Sequence, residues 1–126
     1  MDEKKELLVI NSKTVQNLIY TIRGQQVMLD SDLAELYGYE VKRLNEQVKR
    51  NINRFPEDFM FRLTEEEIPE RLKSQFATLN ENGNRRGLHI KKLPYAFTEQ
   101  GIYMLATVLR GELAEQVSLI ICRFLN

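Results

Sequence analysis

The chain has few of the cysteine and histidine residues that form disulfides and bind metals, and it has no long apolar run. Its 126 residues include one cysteine, one histidine, three prolines and no tryptophan. The single cysteine, Cys122, cannot form an intrachain disulfide, and its apolar neighbours predict a buried, reduced thiol. No apolar run approaches the roughly 20 residues of a membrane span, and the charged N-terminus lacks the features of a signal peptide. We therefore expect a cytoplasmic protein with no membrane partner.

An excess of charge of one sign is also missing. Basic and acidic residues number 18 each, so the formal net charge is zero. The local distribution is uneven, however. Residues 40–54 contain five basic and two acidic residues, residues 85–92 contain four basic and no acidic ones, and residues 57–70 contain six acidic residues and one arginine. A neutral total can therefore hide a polarised surface, with a basic binding face and an acidic back.

Length and composition predict one globular domain, because 126 residues that are 43% hydrophobic support one well-buried core but not two. We place a partly ordered leader at residues 1–16 and a single domain at residues 17–126. The predicted fold class is α+β, in which small strands and a β-hairpin pack with a helix-turn-helix-like pair and two C-terminal helices.

Residues 30–56, DSDLAELYGYEVKRLNEQVKRNINRFP, organise the chain, because two short amphipathic patterns meet there at a glycine. Asp30 or Ser31 is a favourable N-cap for a first helix of about seven residues. Gly38 supplies a turn conformation that residues with a Cβ resist. This spacing of a small residue, a turn glycine and inner hydrophobic residues is typical of a helix-turn-helix nucleic-acid reader. An ordinary helical hairpin with a solvated charged face has the same pattern.

The second helix of this pair is predicted to run from near Glu40 to near Asn53, because the residue before Pro56 avoids helical backbone angles. Its apolar residues recur at helical spacing and predict an inward stripe of Val41, Leu44, Val48 and Ile52. On the opposite side lie Arg43, Gln47 and Arg50, within about 60° of one another, and Arg54 lies at the helix end. This side is the candidate DNA-binding face, although Glu46 can pair with Arg50 as a surface ion pair.

The segments that flank the helix pair predict small strands. Residues 18–29 predict a β-hairpin with a turn at Gly24-Gln25, and residues 59–63 alternate as a strand with one buried face. Thr64 and Glu67 have the spacing of a capping box. A further hairpin, turning at residues 82–84, would carry a basic return at residues 84–92 that can grip phosphates as a wing. A solvated loop with incidental charge explains that segment equally well.

Two helices are predicted at the C-terminal end of the chain. Thr98 is a candidate N-cap for the first, and Gly111 ends it. The last helix has a predicted inward stripe of Leu113, Val117, Ile120, Ile121 and Phe124. We expect this stripe to be covered partly by the domain and partly by a second copy in a homodimer, and Leu119 and Leu125, which lie outside the stripe, offer a further apolar surface to a partner.

Catalytic chemistry is difficult to assemble from this sequence. The glutamates at residues 65–67 are better explained as acids in a first helical turn than as an acid–base pair or metal ligands. His89 has no carboxylate or thiol partner at catalytic or metal-binding spacing. We therefore expect no enzyme activity, no cofactor, no metal and no small-molecule substrate.

Several long stretches together resemble the ORF6N domain, a relative of the KilA-N and Bro-N domains of phages, large DNA viruses and bacteria. The stretches are IYTIRGQQVMLDSDLAELYG (19–38), KRLNEQVKRNINRFPEDFMFRLTEEE (42–67) and LPYAFTEQGIYMLATVLR (93–110). They cover most of the chain in the order and spacing of the family. The departure is at residues 85–92, where the family more often runs from Gly-Arg-Arg directly into Tyr-Leu-Pro.

The resemblance implies an α+β module that binds double-stranded DNA, commonly within a longer regulatory protein of the antirepressor type, and it does not imply catalysis. The helix residues that we predict to contact DNA are Lys42, Arg43, Asn45, Gln47, Lys49, Arg50, Asn51 and Arg54. The hairpin residues predicted to do so are Arg85, Arg86 and Lys91. Asn45 and Asn51 lie on the flanks of the helix, where we expect a role in capping or bracing it ahead of contact with a base. The alternative function is a protein-interaction or dimerisation module without direct DNA contact.

Overall fold

The computed structural model describes residues 12–73 and 93–125, and it confirms the predicted α+β class. Its α-helices are α1 (Ser12–Asn17), α2 (Asp30–Tyr37), α3 (Val41–Arg50), α4 (Glu99–Leu109) and α5 (Glu112–Cys122). Its strands are β1 (Tyr20–Ile22), β2 (Gln25–Leu29), β3 (Met60–Arg62) and β4 (Tyr95–Phe97). Three 3₁₀ turns follow α3, at Ile52–Arg54, Glu65–Glu67 and Glu70–Leu72. The predicted hairpin of residues 76–90, with its turn and His89, lies outside the described residues.

The four strands form one antiparallel sheet in the order β1-β2-β4-β3. Strand β4 lies inside this sheet, where Phe97 pairs with Met28 of β2 and also with Met60 of β3. The sequence does not predict this strand, because three residues between a proline and a helix cap show no alternating pattern. The strand nevertheless joins the N-terminal hairpin to β3.

Both faces of the sheet are buried, because successive residues of each strand point to opposite sides. Met28, Met60 and Phe97 pack against the helices in the larger core. On the other face a second core forms, which contains Val27, Leu29, Phe61, Leu63, Ile68 and Ala96. The prediction of one buried face for residues 59–63 is therefore wrong, since Met60 and Phe61 are both buried.

The first hairpin turns one residue earlier than predicted. Arg23 and Gly24 both have positive φ, 55° and 75°, whereas Gln25 already pairs with Ile22 in the sheet. Two positive φ values in succession give a two-residue turn whose twist matches that of the strands. Arg23 is held there by Glu67, at 2.7 Å, and its guanidinium lies 4.1 Å from the centre of the Phe61 ring. A side chain from a distant segment thus stabilises the left-handed conformation of a non-glycine residue.

Helix α2 begins directly where β2 ends, so the predicted cap at Asp30 or Ser31 is wrong. The residue before the helix is Leu29, which has extended backbone angles and offers no side-chain cap. Asp30 is the first helical residue and is buried. The end of α2 is as predicted: Gly38 adopts the left-handed conformation at φ 76°, and its N–H donates to the Glu35 carbonyl.

Helix α3 starts at the predicted position but ends at Arg50, three residues before the predicted end at Asn53. Leu44 and Val48 are buried as predicted. The other two residues of the predicted stripe are exposed, Val41 at 40% and Ile52 at 51%. Val41 lies at the very first position of the helix, and Ile52 lies in the 3₁₀ turn that rotates the chain out of the helical phase.

The C-terminal helices follow the predicted capping more closely than the predicted stripe. The Thr98 hydroxyl accepts a hydrogen bond from the Gly101 amide, so Thr98 caps α4 as predicted. Helix α4 ends at Leu109, followed by positive φ at both Arg110 and Gly111. The predicted inward stripe of α5 is correct at Val117 and Ile121, which are buried, while Leu113, Ile120 and Phe124 are only partly buried.

Small residues explain the rotation of α5 relative to the prediction. Ala114 and Ser118 are buried in its contact face, together with Cys122, because small side chains allow α5 to approach its neighbours closely. The Ser118 hydroxyl shares a hydrogen bond of 2.6 Å with the Tyr37 hydroxyl of α2. Leu125 is also buried, which contradicts its predicted place on an outer apolar surface, whereas Leu119 is 52% exposed.

Candidate nucleic-acid interface

Helix α3 presents a face of four exposed cations. Those residues are Lys42, Arg43, Lys49 and Arg50. At about 100° per residue they lie on the side opposite Leu44 and Val48, which pack into the core. Among the described residues none of the four has an ion-pair partner, and Glu46 does not pair with Arg50. Their positive charge is therefore directed to solvent rather than neutralised within the fold.

One flank of α3 faces the end of α4 across a groove of about 310 Å³. Its polar lining includes Gln47, Asn51, Arg54 and Arg110. Asn51 is partly committed to the fold, since its side-chain amide donates to the Gln47 carbonyl at 2.8 Å and braces the end of α3. The groove thus places Arg54 beside a second arginine. Arg110 was not among the predicted site residues, because nothing in the sequence connects residue 110 with α3.

The other flank of α3 faces the sheet across a groove of about 600 Å³. Lys42, Glu46 and Lys49 lie on the helix side of this groove, and Arg62 and Tyr95 lie on the sheet side. The Arg62 guanidinium lies 4.3 Å from the centre of the Tyr95 ring and donates to the Tyr95 hydroxyl at 2.7 Å. Strand β3 therefore adds a cation, Arg62, beside α3 that was not predicted. The alternation of residues 59–63 was the signal in the sequence, because it indicates that the Arg62 side chain points away from the apolar side.

A buried carboxylate holds α3 in place. Asp30 accepts hydrogen bonds from the Ser31 amide at 2.7 Å, from the Asn45 side-chain amide at 3.1 Å and from the Tyr95 amide at 3.3 Å. These donors belong to α2, α3 and β4. Burial raises the pKa of the Asp30 carboxyl, and the hydrogen bonds oppose this rise without cancelling it. Asn45 therefore fixes the position of α3, whereas its predicted contact with DNA stays a prediction.

The family model of the ORF6N domain matches residues 17–108, which is well over half of the chain. The chain belongs to the ORF6N-domain family. The match contains α2, α3 and all four strands, and it ends within α4. The curated proteins and the solved structures that were compared with the chain contain no match to it.

The basic hairpin predicted at residues 84–92 falls within the ORF6N match but outside the described residues. This segment contains Arg85, Arg86 and Lys91, for which DNA contact stays a prediction. The remaining predicted site residues lie on α3, at its C-cap Asn51 and in the Ile52–Arg54 turn, so the described part of the ORF6N domain brings them together in one continuous segment.

Two acidic 3₁₀ turns of this ORF6N domain, Glu65–Glu67 and Glu70–Leu72, lie across the sheet from α3. They surround Ile68, which packs into the second core, while α3 packs into the first. The predicted capping box is formed: the Glu67 carboxylate accepts from the Thr64 amide at 2.9 Å. Glu67 also binds Arg23, whose hydrogen bond lowers the pKa of the Glu67 carboxyl. These acidic turns and α3 therefore contact opposite faces of the sheet.

Two findings bear on other kinds of site. Over residues 12–73 and 93–125, no cluster of three or more histidine, cysteine or acidic residues is arranged to hold a metal ion. No helix in the same part of the chain is long and apolar enough to cross a membrane. Cys122 is buried as predicted, and burial raises the pKa of its thiol to about 11, so the thiol stays protonated near neutral pH.

Proposed function

We propose that this ORF6N domain binds double-stranded DNA with the exposed face of α3, as the DNA-binding module of a phage-like or prophage-like regulatory protein of the antirepressor type. The observation that carries the proposal is the group of four cations on α3 that have no ion-pair partner in the described part of the chain. Cations that are free of internal partners can release counterions from DNA when they meet phosphates.

The size of α3 suits this role. An α-helix with its side chains is about 10–12 Å in diameter, and the major groove of B-DNA is about 12 Å wide. The helix is the second of a pair joined through Gly38, which is the position of the reading helix in helix-turn-helix proteins. Arg54, Arg62 and Arg110 flank the helix and can reach the phosphates on either side of the groove. The neutral total charge does not oppose this proposal, because the acidic turns lie across the sheet.

A salt series tests the proposal. Duplex binding is measured by fluorescence anisotropy at increasing concentrations of monovalent salt. We expect affinity to fall steeply, with a slope of log Kd against log salt that corresponds to about 0.9 for each phosphate neutralised. Four contacts from α3 alone would give a slope of about 3.6. Absence of duplex binding even at low salt would refute the proposal.

A second candidate function is homodimerisation through the exposed side of α5. Leu119 is exposed there, with Glu115 and Arg123 one turn before and after it. If two copies of α5 pair antiparallel about a two-fold axis at Leu119, Glu115 faces Arg123 of the partner subunit. The exposed side of α5 is thus complementary to the same side of a second copy. Sedimentation velocity at micromolar concentration tests this function: we expect a dimer that Leu119→Lys converts to a monomer, and a parent protein that is already monomeric would refute it.

A further inference from the structure

The exposed face of α3 has an acidic residue at its centre. Glu46 is two residues from both Leu44 and Val48, which are buried, so it lies on the opposite side of the helix. Lys42, Arg43, Lys49 and Arg50 are three or four residues away and surround it. The most outward position of the candidate DNA-binding face is therefore a carboxylate within a ring of cations.

This carboxylate is exposed and has no hydrogen bond or ion pair within residues 12–73 and 93–125. On a surface that only gripped phosphates, such a group would weaken binding through like-charge repulsion. The position of Glu46 differs from that of the cations, however. When a helix lies in the major groove, the residues on its two sides face the phosphate strands, and its outermost residues face the base edges.

The base edges in the major groove discriminate strongly against a carboxylate. An ionised carboxylate can only accept hydrogen bonds. Guanine presents two acceptors there, and thymine presents one acceptor and a methyl group. Adenine presents an amino donor with an acceptor beside it, whereas cytosine presents an amino donor alone. Cytosine is therefore the base that a carboxylate at this position matches best.

We propose that Glu46 determines sequence specificity by accepting a hydrogen bond from the N4 amino group of a cytosine, while the four cations around it hold the flanking phosphates. This inference rests on the proposed DNA binding by α3. It makes Glu46 a base-reading residue, although it was not among the residues expected from the sequence to contact DNA. It also explains how a carboxylate is compatible with a phosphate-binding surface, since the base edge offers the donor that the phosphates lack.

The test is selection of bound duplexes from a pool with a randomised centre, carried out with the parent protein and with Glu46→Gln. Glutamine has almost the same shape but is uncharged, and its amide can pair with the N6 and N7 of adenine. We expect the parent to enrich a motif that contains a cytosine at one position. In the variant, the ratio of affinities for duplexes with and without that cytosine should fall by about 5-fold to 150-fold. The preference at that position should also shift towards adenine.

A charge-matched control separates base reading from simple repulsion. Glu66→Gln removes the same charge from an exposed residue of the Glu65–Glu67 turn, which lies across the sheet from α3, and it should leave the enriched motif unchanged. If Glu46→Gln enriches the same motif as the parent and only binds every duplex more tightly, the inference is wrong while the proposed function stands. A parent protein that binds duplexes without enriching any motif also overturns the inference. Failure of both proteins to bind any duplex at low salt refutes the proposed function itself.

Discussion

Helices α3 and α5 are similar in length and both amphipathic, yet they are attached to the fold in different ways. Helix α3 buries two of its ten residues, Leu44 and Val48, and is also held by the hydrogen bond from Asn45 to Asp30. Helix α5 buries five of its eleven residues. The comparison indicates that α5 is chiefly a core element, whereas α3 uses most of its surface to present charge. Changes in α3 should therefore divide into a few that affect stability and many that affect binding.

The largest expected effect is on stability, at the central buried residue of α3. Leu44 is fully buried, so Leu44→Ala should destabilise the protein by about 2–5 kcal/mol through lost burial and the cavity that remains. The measurement is urea unfolding followed by circular dichroism. Ile121→Ala in α5 is the matched change, since Ile121 is also fully buried and should lose a similar amount. A Leu44→Ala protein as stable as the parent would show that α3 is not anchored at this residue.

The next effect concerns the carboxylate that holds α3. Asp30→Ala leaves the Asn45 and Tyr95 amides without their acceptor, which should cost about 1–3 kcal/mol. The control is Asp58→Ala, because Asp58 is exposed. Urea unfolding of the two variants should differ by that amount. Equal stability would mean that the three hydrogen bonds of Asp30 do not position the helix.

Asp30 also makes a prediction about pH. Burial raises its pKa in the folded state above the unfolded value of about 3.9, so the folded protein binds this proton more tightly. The protonated Asp30 carboxyl makes its full contribution to stability below its pKa in the unfolded state. This contribution is lost as the pH rises through its pKa in the folded state. Asp30→Asn cannot titrate, so its unfolding free energy should decline less than that of the parent as the pH is raised from about 4. Parallel pH profiles for the two proteins would contradict this assignment.

Binding should respond to the exposed face of α3 without a change in stability. Replacing both Arg43 and Arg50 with alanine should weaken duplex binding about tenfold or more and lower the salt slope by about 1.8. The melting temperature should stay close to that of the parent, since both residues are exposed. The control, Lys73→Ala, removes an exposed cation that is neither on α3 nor in the proposed dimer contact. If the control weakens binding as much as the test variant, binding depends on total charge rather than on α3.

The smallest effect is expected at the contact between α2 and α5. Tyr37→Phe removes the hydroxyl that is hydrogen-bonded to Ser118, which should cost about 0.5–1.5 kcal/mol in the free energy of unfolding. Urea unfolding should detect this loss, while duplex binding should stay unchanged because Tyr37 is buried away from solvent. A clear loss of DNA affinity in this variant would indicate that α5 and α3 are coupled through α2.

Local rules account for the parts of the fold that were predicted from the sequence. Gly38, the start of α3 and the cap at Thr98 each depend on one or two neighbouring residues, so their signals are complete within a short segment. The parts that were not predicted depend on distant partners. Strand β4 exists through its pairing with β2 and β3, and the buried Asp30 finds its hydrogen-bond donors in Asn45 and Tyr95, which are distant in sequence.

The same distinction applies to the candidate site. The cations of α3 could be predicted because helical spacing groups them on one side, opposite residues that must be buried. Arg62 and Arg110 could not be assigned to the site, because only the packing of β3 and α4 beside α3 brings them near it. Val41 and Ile52 show the limit of periodicity, since the helical phase does not specify what covers the first and last turns.

The most direct test of the central claim is nuclear magnetic resonance of the ¹⁵N-labelled protein titrated with duplex DNA at low salt. If α3 is the DNA-binding element, amide shifts should concentrate in Val41–Arg50 and Ile52–Arg54, and Glu112–Cys122 should be largely unperturbed. Shifts concentrated in α5 with little change in α3 would contradict the claim and would assign binding to the other helix of the comparison.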